Sequence, residues 1–328
     1  MYGLGVNRLG ATSARGGRVP ESLFASGEEG AWYDPSDLST MFQNSDGTGA
    51  PVVDSPVGYI ADKSGNGNHA IQATSSKRPT LKQDGALYYL EFEGAQGLAT
   101  FFPVDFTGTD EVTVSAGITK DTLDTAVIAE LSGNVTGNVG TFRLAAISTA
   151  SGLYRFQSRG DGTAIAANAS PFGVGTNVLT GIGDISGPEC TIRVDGTQEA
   201  SVTTTQGAGN YGNKTLNIGA RSNATSLFLD GRIYGLIIRG ATCTATELAD
   251  LESYMTARLT ALEGGDSDSG DSGTSVPPSP PSPSPTPANN LTLYSSDGVP
   301  WVDSNDVIVT DSSVGLSAAD ISTKLSSV

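Results

Sequence analysis

Basic residues are scarce in this chain. Eighteen Lys and Arg stand against 35 Asp and Glu, giving a net charge of −17. A protein that grips nucleic acid through its phosphates carries a clustered basic face, so this balance argues against that function. Charged residues of both signs make up only 16% of the chain, below the roughly 25% of ordinary soluble proteins. Histidine occurs once, at His69, and cysteine twice, at Cys190 and Cys243. Two cysteines make no disulfide framework, and a metal site built on them would need help from histidine. Whether they pair or remain buried free thiols is left open, because sequence does not set their separation. No apolar run approaches the ~20 residues of a membrane helix. The opening residues MYGLGVNRLGATSARGGRVP contain no secretory apolar core. The expectation is synthesis in a cytoplasm, without export by an amino-terminal signal and without membrane insertion.

Glycine is abundant, with 42 residues, and Ser, Thr and Asn fill much of the rest. Such a chain suits short strands joined by tight turns. Between about 86 and 240 it reads as a succession of strands: 88–92, 98–102, 111–118, 125–131, 141–147, 153–158, 177–185, 190–196, 199–204, 215–220 and 231–240. Many alternate apolar with polar residues, and Gly, Asn, Asp or Pro separates them. That spacing predicts an all-β sandwich or barrel. No helix-length segment interrupts the strands, which argues against a parallel βαβ sheet.

One helix follows. Thr244 and Glu247 fit a capping box. Leu248, Leu251, Met255, Leu259 and Leu262 fall on one face, and Gly264-Gly265 ends the pattern. The stripe is either a seam against the sandwich or a short coiled-coil seam between subunits. A linker covers 264–290, first acidic and Gly/Ser-rich, then Pro-rich from Pro277 to Pro287. Eleven residues of polyproline II at ~3.1 Å each would hold two units roughly 34 Å apart. The segment 291–328 reads as a hairpin and a short helical end at 317–325. It is too small for confident independence, so oligomerisation or docking through residues such as Trp301 is expected. Residues 1–54 read as an arm and anchor segment, loop-like as far as 57. Tyr2, Leu4, Arg8, Arg15 and Arg18 form either a solvated arm or one that docks on an acidic neighbour. Trp32, Tyr33, Leu38, Met41 and Phe42 are apolar anchors.

The stretch DKSGNGNHA, Asp62–Ala70, packs polar and glycine residues around the single histidine. Gly65 and Gly67 permit a sharp reversal, and Asn66 and Asn68 tolerate left-handed backbone. His69 would pack or hydrogen-bond beside the next strand. A structural turn, a calcium site using Asp62 and a catalytic histidine are the three readings of this loop.

Together with TIRVDGTQEASVT, a strand pair turning on Asp195-Gly196, and with LNIGARSNATSLFLDGRIYGLIIRG leading into TATELADLESYM, this loop resembles the laminin-G-like, or concanavalin A-like, jelly roll. The resemblance covers roughly residues 55–262, which places the jelly-roll domain at 55–263. It implies a two-sheet antiparallel sandwich closed by one C-terminal helix, with calcium the only cofactor to consider. The front segment, with AWYDPSDLSTMFQ and DKSGNGNHAIQAT, also resembles the start of structural proteins of tailed bacteriophages. That resemblance implies a virion component assembled in the bacterial host cytoplasm, a homo-oligomer that contacts other virion proteins through its two ends.

Glycoside hydrolases of this shape need two carboxylates at a fixed separation, in an E-x-D-x-x-E pattern. Glu91 and Glu93 share a strand face, but the third acid is absent. No Gly-x-Ser-x-Gly elbow occurs. The expectation is a protein that is not an enzyme. Its function is either glycan or host-surface binding from the tail, or architectural decoration of the head. Tyr154, Phe172 and Tyr211 would stack on sugar, and Asn210 and Asn213 would hydrogen-bond it. Ordinary rim packing is the alternative for all five.

Overall fold

Alternation decides which way each strand faces. In β9 (Glu111–Lys120), Val112, Val114, Ala116 and Ile118 are fully buried in one cluster, while Thr113 and Ser115 point the other way. The structure is a computed structural model, and it describes residues 20–147, 152–170 and 172–260. The arm residues Tyr2, Leu4, Arg8, Arg15 and Arg18 lie outside these, as do the linker and the segment containing Trp301.

Two antiparallel sheets face one another. The first contains β1 (Gly30–Tyr33), β5 (Thr80–Asp84), β6 (Leu87–Glu93), β9, β14 (Gly175–Asp184), β15 (Glu189–Val194), β16 (Thr197–Val202) and β19 (Asp230–Arg239). Its order is β16-β15-β14-β9-β19-β6-β5, and β1 also pairs with β19. The second holds β2 (Met41–Phe42), β3 (Tyr59–Ile60), β4 (Ala70–Ile71), β7 (Leu98–Thr100), β10 (Ala126–Leu131), β11 (Thr141–Ile147), β12 (Leu153–Arg159), β13 (Ile165–Ala169) and β18 (Leu216–Ile218). It runs β13-β12-β11-β10-β18-β7-β4-β3-β2. The pair β8 (Val104–Asp105) and β17 (Asn213–Lys214) stands apart. The strand spacing predicts an all-β sandwich or barrel, the resemblance implies a two-sheet jelly roll, and the fold is that two-sheet sandwich.

The core lies between the inner faces, where Phe92, Phe106, Phe142, Phe156 and Leu144 pack. Gly181 sits under Phe156, and a Cβ there would stand 2.1 Å from the ring. The Asp195-Gly196 turn has both residues at positive φ, +48° and +79°, as a two-residue hairpin with right-handed twist demands.

Helix α1 (Ala245–Thr260) starts on the expected capping box. The Thr244 amide donates to Glu247 Oε2 at 2.8 Å, and the Glu247 amide donates to Thr244 Oγ1 at 3.3 Å. Leu251 and Met255 are buried with Trp32, Val178 and Ile237 on the outer face of the first sheet. The apolar stripe is thus a seam against the sandwich. Leu262 lies outside the described residues.

Four expectations are corrected. Residues 30–33 are not a loop in a separate anchor segment: β1 pairs with β19 from Gly30 against Arg239 to Tyr33 against Leu236, and Trp32 and Tyr33 are buried. The boundary at 55 therefore cuts through the sandwich. The strand read at 98–102 ends at Thr100, because Pro103 restricts the residue before it and has no N–H to donate. The sequence pattern does not give β5 and β13: Leu81 is the one buried residue of β5, and β13 alternates on alanines, which carry little apolar signal. Asn66 and Asn68 are not left-handed; only Gly65 and Gly67 are, at +94° and +75°. The two asparagine amides instead donate to the Gly30 carbonyl. Both cysteines are free. Cys190 faces the core, where burial pushes its thiol up to about 12.

Candidate functional site

Each sheet spends one face on the core. The other face of the first sheet packs α1 along its middle, where Leu251 and Met255 meet Val178 and Ile237. The outward face of the second sheet carries no helix among the described residues. One cross-strand row runs along it through all nine strands: Phe42, Tyr59, Ile71, Ala99, Asn217, Glu130, Arg143, Gln157 and Ala166. Eight inter-strand spacings of ~4.8 Å make this row roughly 38 Å long.

One end is aromatic. Phe42 and Tyr59 meet edge-on at 5.5 Å, and Tyr59 lies against the His69 ring at 5.4 Å. Phe101 and Phe102 follow the end of β7 and are 62% and 69% exposed. Their rings are 4.5 Å apart. Tyr59, His69, Phe101 and Phe102, with Asp46, Ile71 and Ala73, line an open cleft of about 510 Å³. Burial raises the Tyr59 phenol, which therefore stays protonated and can donate as well as accept. The Thr48 hydroxyl and amide hold Asp46 below the usual carboxylate range, so the cleft edge carries a negative charge. Exposed aromatic faces with a few polar groups suit a ligand with an apolar face and hydroxyl edges.

The middle of the row is covered by a strained loop. Ser222, Asn223 and Ala224 are all left-handed, at +51°, +52° and +57°. For non-glycine residues that conformation costs about 1–2 kcal/mol each. The surrounding contacts hold it. Arg221 forks onto buried Glu130, with Nε and Nη2 each 2.9 Å from an oxygen. The Asn223 amide donates to Asn217 Oδ1 at 2.8 Å, and Lys77 Nζ donates to the Ala224 carbonyl at 2.8 Å. Asn217 and Glu130 are thereby buried, and the face is divided into two halves.

The far half is rich in arginine. Alternation along β12 puts Arg155, Gln157 and Arg159 on the outward face, and Arg143 is the direct neighbour of Gln157 on β11. Nε and Nη2 of Arg143 both donate to Gln157 Oε1. Arg155 Nε donates to Asn168 Oδ1 at 2.6 Å. Arg159 donates to the Gly162 and Thr136 carbonyls at 2.7 and 2.5 Å. Every one of these acceptors is neutral. Burial lowers the Arg143 guanidinium to about 10, and Arg221 and Arg155 push the same way against the attraction of Glu130.

The residues expected to bind glycan do not converge. Tyr154 and Tyr211 are each 1% exposed, so neither offers a ring face to a sugar. Tyr154 donates to Asn177 Oδ1 near the start of β14. The Tyr211 hydroxyl meets Ser158 Oγ at 2.5 Å, near the end of β12, and its ring packs edge-on to Phe142. Phe172 is half-buried against the core beside Tyr154. Asn210 is exposed but donates to the Thr107 carbonyl, and Asn213 is exposed in β17. Aromatic residues near Gly and Asn read as loop tips in the sequence, yet alternation around Tyr154 was the available sign of burial. Phe101 and Phe102 were hidden inside an apparent strand; Pro103 was the signal that it stops short.

Asp62 is also accounted for. Its carboxylate accepts from the Trp32, Ser64 and Asn68 amides at 2.8, 2.8 and 2.9 Å and from the Ser64 hydroxyl at 2.8 Å. Four donors fill the lone-pair sites a calcium ion would need. Among the described residues no three His, Cys, Asp or Glu side chains gather to hold a metal. His69 Nδ1 accepts from the Asp62 amide at 3.0 Å. The loop is a structural turn that ties β1 to the second sheet.

No protein-family model and no curated protein sequence matches the chain. Solved structures do. An arabinofuranosidase complexed with arabinofuranosyl-α-1,2-xylobiose superposes with a TM-score of 0.51 at 12% identity, over 73% of this chain and 65% of its own, which is less than two thirds. A heptameric SAP-like pentraxin from Limulus polyphemus gives 0.40 at 11%, over 48% and 78%. The CBM40 of a Ruminococcus gnavus sialidase, bound to α2,3-sialyllactose, gives 0.39 at 12%, over 51% and 95%. The fold is a two-sheet jelly-roll sandwich. Identities this low speak to fold alone.

Proposed function

We propose that the chain is a non-enzymatic, glycan-binding structural protein of a tailed-phage virion, associated with the tail or a fibre. The observation that carries the glycan reading is the aromatic cleft of Tyr59, His69, Phe101 and Phe102 on the sheet face that α1 leaves uncovered. Sugar rings present apolar C–H faces to aromatic side chains and hydroxyls to groups such as Asp46 and Tyr59. The virion reading rests on the WYDPSDLSTMFQ and DKSGNGNHAIQAT motifs. In it the polypeptide is made in the host cytoplasm and assembles as a homo-oligomer. Its amino-terminal arm and its segment after the Pro-rich linker hold other virion proteins. Many copies on one particle would turn weak single sites into firm attachment. A net charge of −17 favours a second reading, head decoration with a purely architectural role, since such a surface gives colloidal repulsion.

A glycan array probed with the full chain and with Phe101→Ala/Phe102→Ala separates these readings. Binding that the double variant loses by about tenfold or more, the scale of one or two stacked rings, supports the cleft. An empty array, with hundreds of copies per particle, would favour decoration. A few copies per particle support the tail.

A further inference from the structure

The outward face of the nine-stranded sheet is chemically lopsided. Its aromatic end carries an acid, Asp46. Its other end gathers Arg143, Arg155 and Arg159 around Gln157, and none of the three has a carboxylate within 4.0 Å among the described residues. In a chain with 35 acids and 18 bases, three neighbouring guanidiniums without an acid are not what a random surface gives. The one acid on that part of the row, Glu130, is already forked by Arg221 and also accepts from the Val135 amide. The neutral partners of the three arginines fix their forks without neutralising them. Arg155 spends only Nε on Asn168. Arg159 spends Nε and one terminal nitrogen on carbonyls. Terminal nitrogens of both half-buried side chains are left for a ligand.

We infer that this arginine cluster is an anionic-sugar subsite, which takes the carboxylate of an acidic polysaccharide lying on the sheet. This deepens the glycan reading proposed above and rests on it. A planar guanidinium matches a carboxylate in two parallel hydrogen bonds, which a lone ammonium does not. Arg155 and Arg159 stand four residues apart on one strand, roughly 14 Å at ~3.4 Å per residue, so they reach different sugars of one polymer. Asp46 repels an acidic group at the aromatic end, so acidic sugars are favoured at the arginine end. Nucleic acid is a poorer fit. Among the described residues the arginine half has no aromatic side chain on its outward row to stack bases.

The full chain tests this with polygalacturonate, a neutral galactan and single-stranded DNA, titrated over a salt series. Polygalacturonate is expected to bind about tenfold or more tightly than galactan at low salt, with an advantage that falls as salt screens it. Arg155→Gln/Arg159→Gln should abolish that preference and leave galactan binding unchanged. Arg155→Lys/Arg159→Lys should keep the salt dependence and lose part of the preference, because the fork is gone. Matching thermal melts show that the variants fold. Equal, salt-independent binding of both polysaccharides overturns the inference, as does a preference that survives the glutamine variant. DNA bound as tightly as polygalacturonate, and released by the same variant, overturns it in favour of a phosphate polymer. If Phe101→Ala/Phe102→Ala leaves every affinity unchanged while the arginine variant acts as expected, the aromatic cleft fails and the arginine subsite stands.

Discussion

Single side chains break the rules of the sandwich at one telling place. Lys120 continues the inward series of Val112, Val114, Ala116 and Ile118, is 1% exposed, and its Nζ has no hydrogen-bond partner among the described residues. Burial depresses its ammonium below the ordinary 10.5, only partly offset by Asp124. An unsatisfied buried polar group costs about 1–3 kcal/mol. Lys120→Met should therefore stabilise the protein by about that amount at neutral pH. The sign with pH is fixed. Between the depressed folded value and 10.5 the unfolded chain binds more protons at this site, so its contribution to stability rises with pH. The advantage of the methionine variant should accordingly shrink as pH climbs toward 10.5. Urea melts of both proteins across that range measure it, and an advantage that grows with pH would refute the account.

At the scale of elements, the loop over the middle of the nine-stranded sheet is the most strained segment described. Three successive left-handed residues persist because ionic and amide contacts on both flanks over-determine them. Ser222 is exposed, at +51°, and its hydroxyl makes only a long 3.4 Å contact to the Gly133 carbonyl. Glycine adopts that backbone without a Cβ clash. Ser222→Gly should raise stability by about 0.5–1 kcal/mol, seen as an upward shift in Tm with no change in the sheet's circular dichroism. A fall in Tm would mean that the loop is not strained at this position.

Over the whole molecule, the amino-terminal part of the described chain is structural. β1 adds a strand to β19, Trp32 supplies part of the floor under α1, and Tyr33 and Met41 enter the main core. A fragment beginning at residue 55 loses all of these, each large side chain worth about 2–5 kcal/mol. The fragment 20–263 should unfold in one cooperative transition, whereas 55–263 should melt far lower or aggregate. Differential scanning calorimetry of the two decides it, and equal melting temperatures would show β1 to be dispensable.

Much of the fold was legible in the chain itself. Period-two alternation announced β9, β11 and β19, the Asp-Gly pair announced its hairpin, and Thr244 with Glu247 announced the helix start. Each of these is a local preference, written within a few residues. Tertiary structure alone decided the rest. Gly30 meets Arg239, and Phe42 comes to share one row with Gln157 through the pairing of Ala99 with Asn217, contacts between residues more than a hundred positions apart. Alternation says that a side chain leaves one face of a strand; it does not say which sheet that strand joins or what covers the face. For that reason Tyr154 and Tyr211 looked free and are buried, whereas Phe101, Phe102, Arg155 and Arg159 drew no notice and now share the outward face.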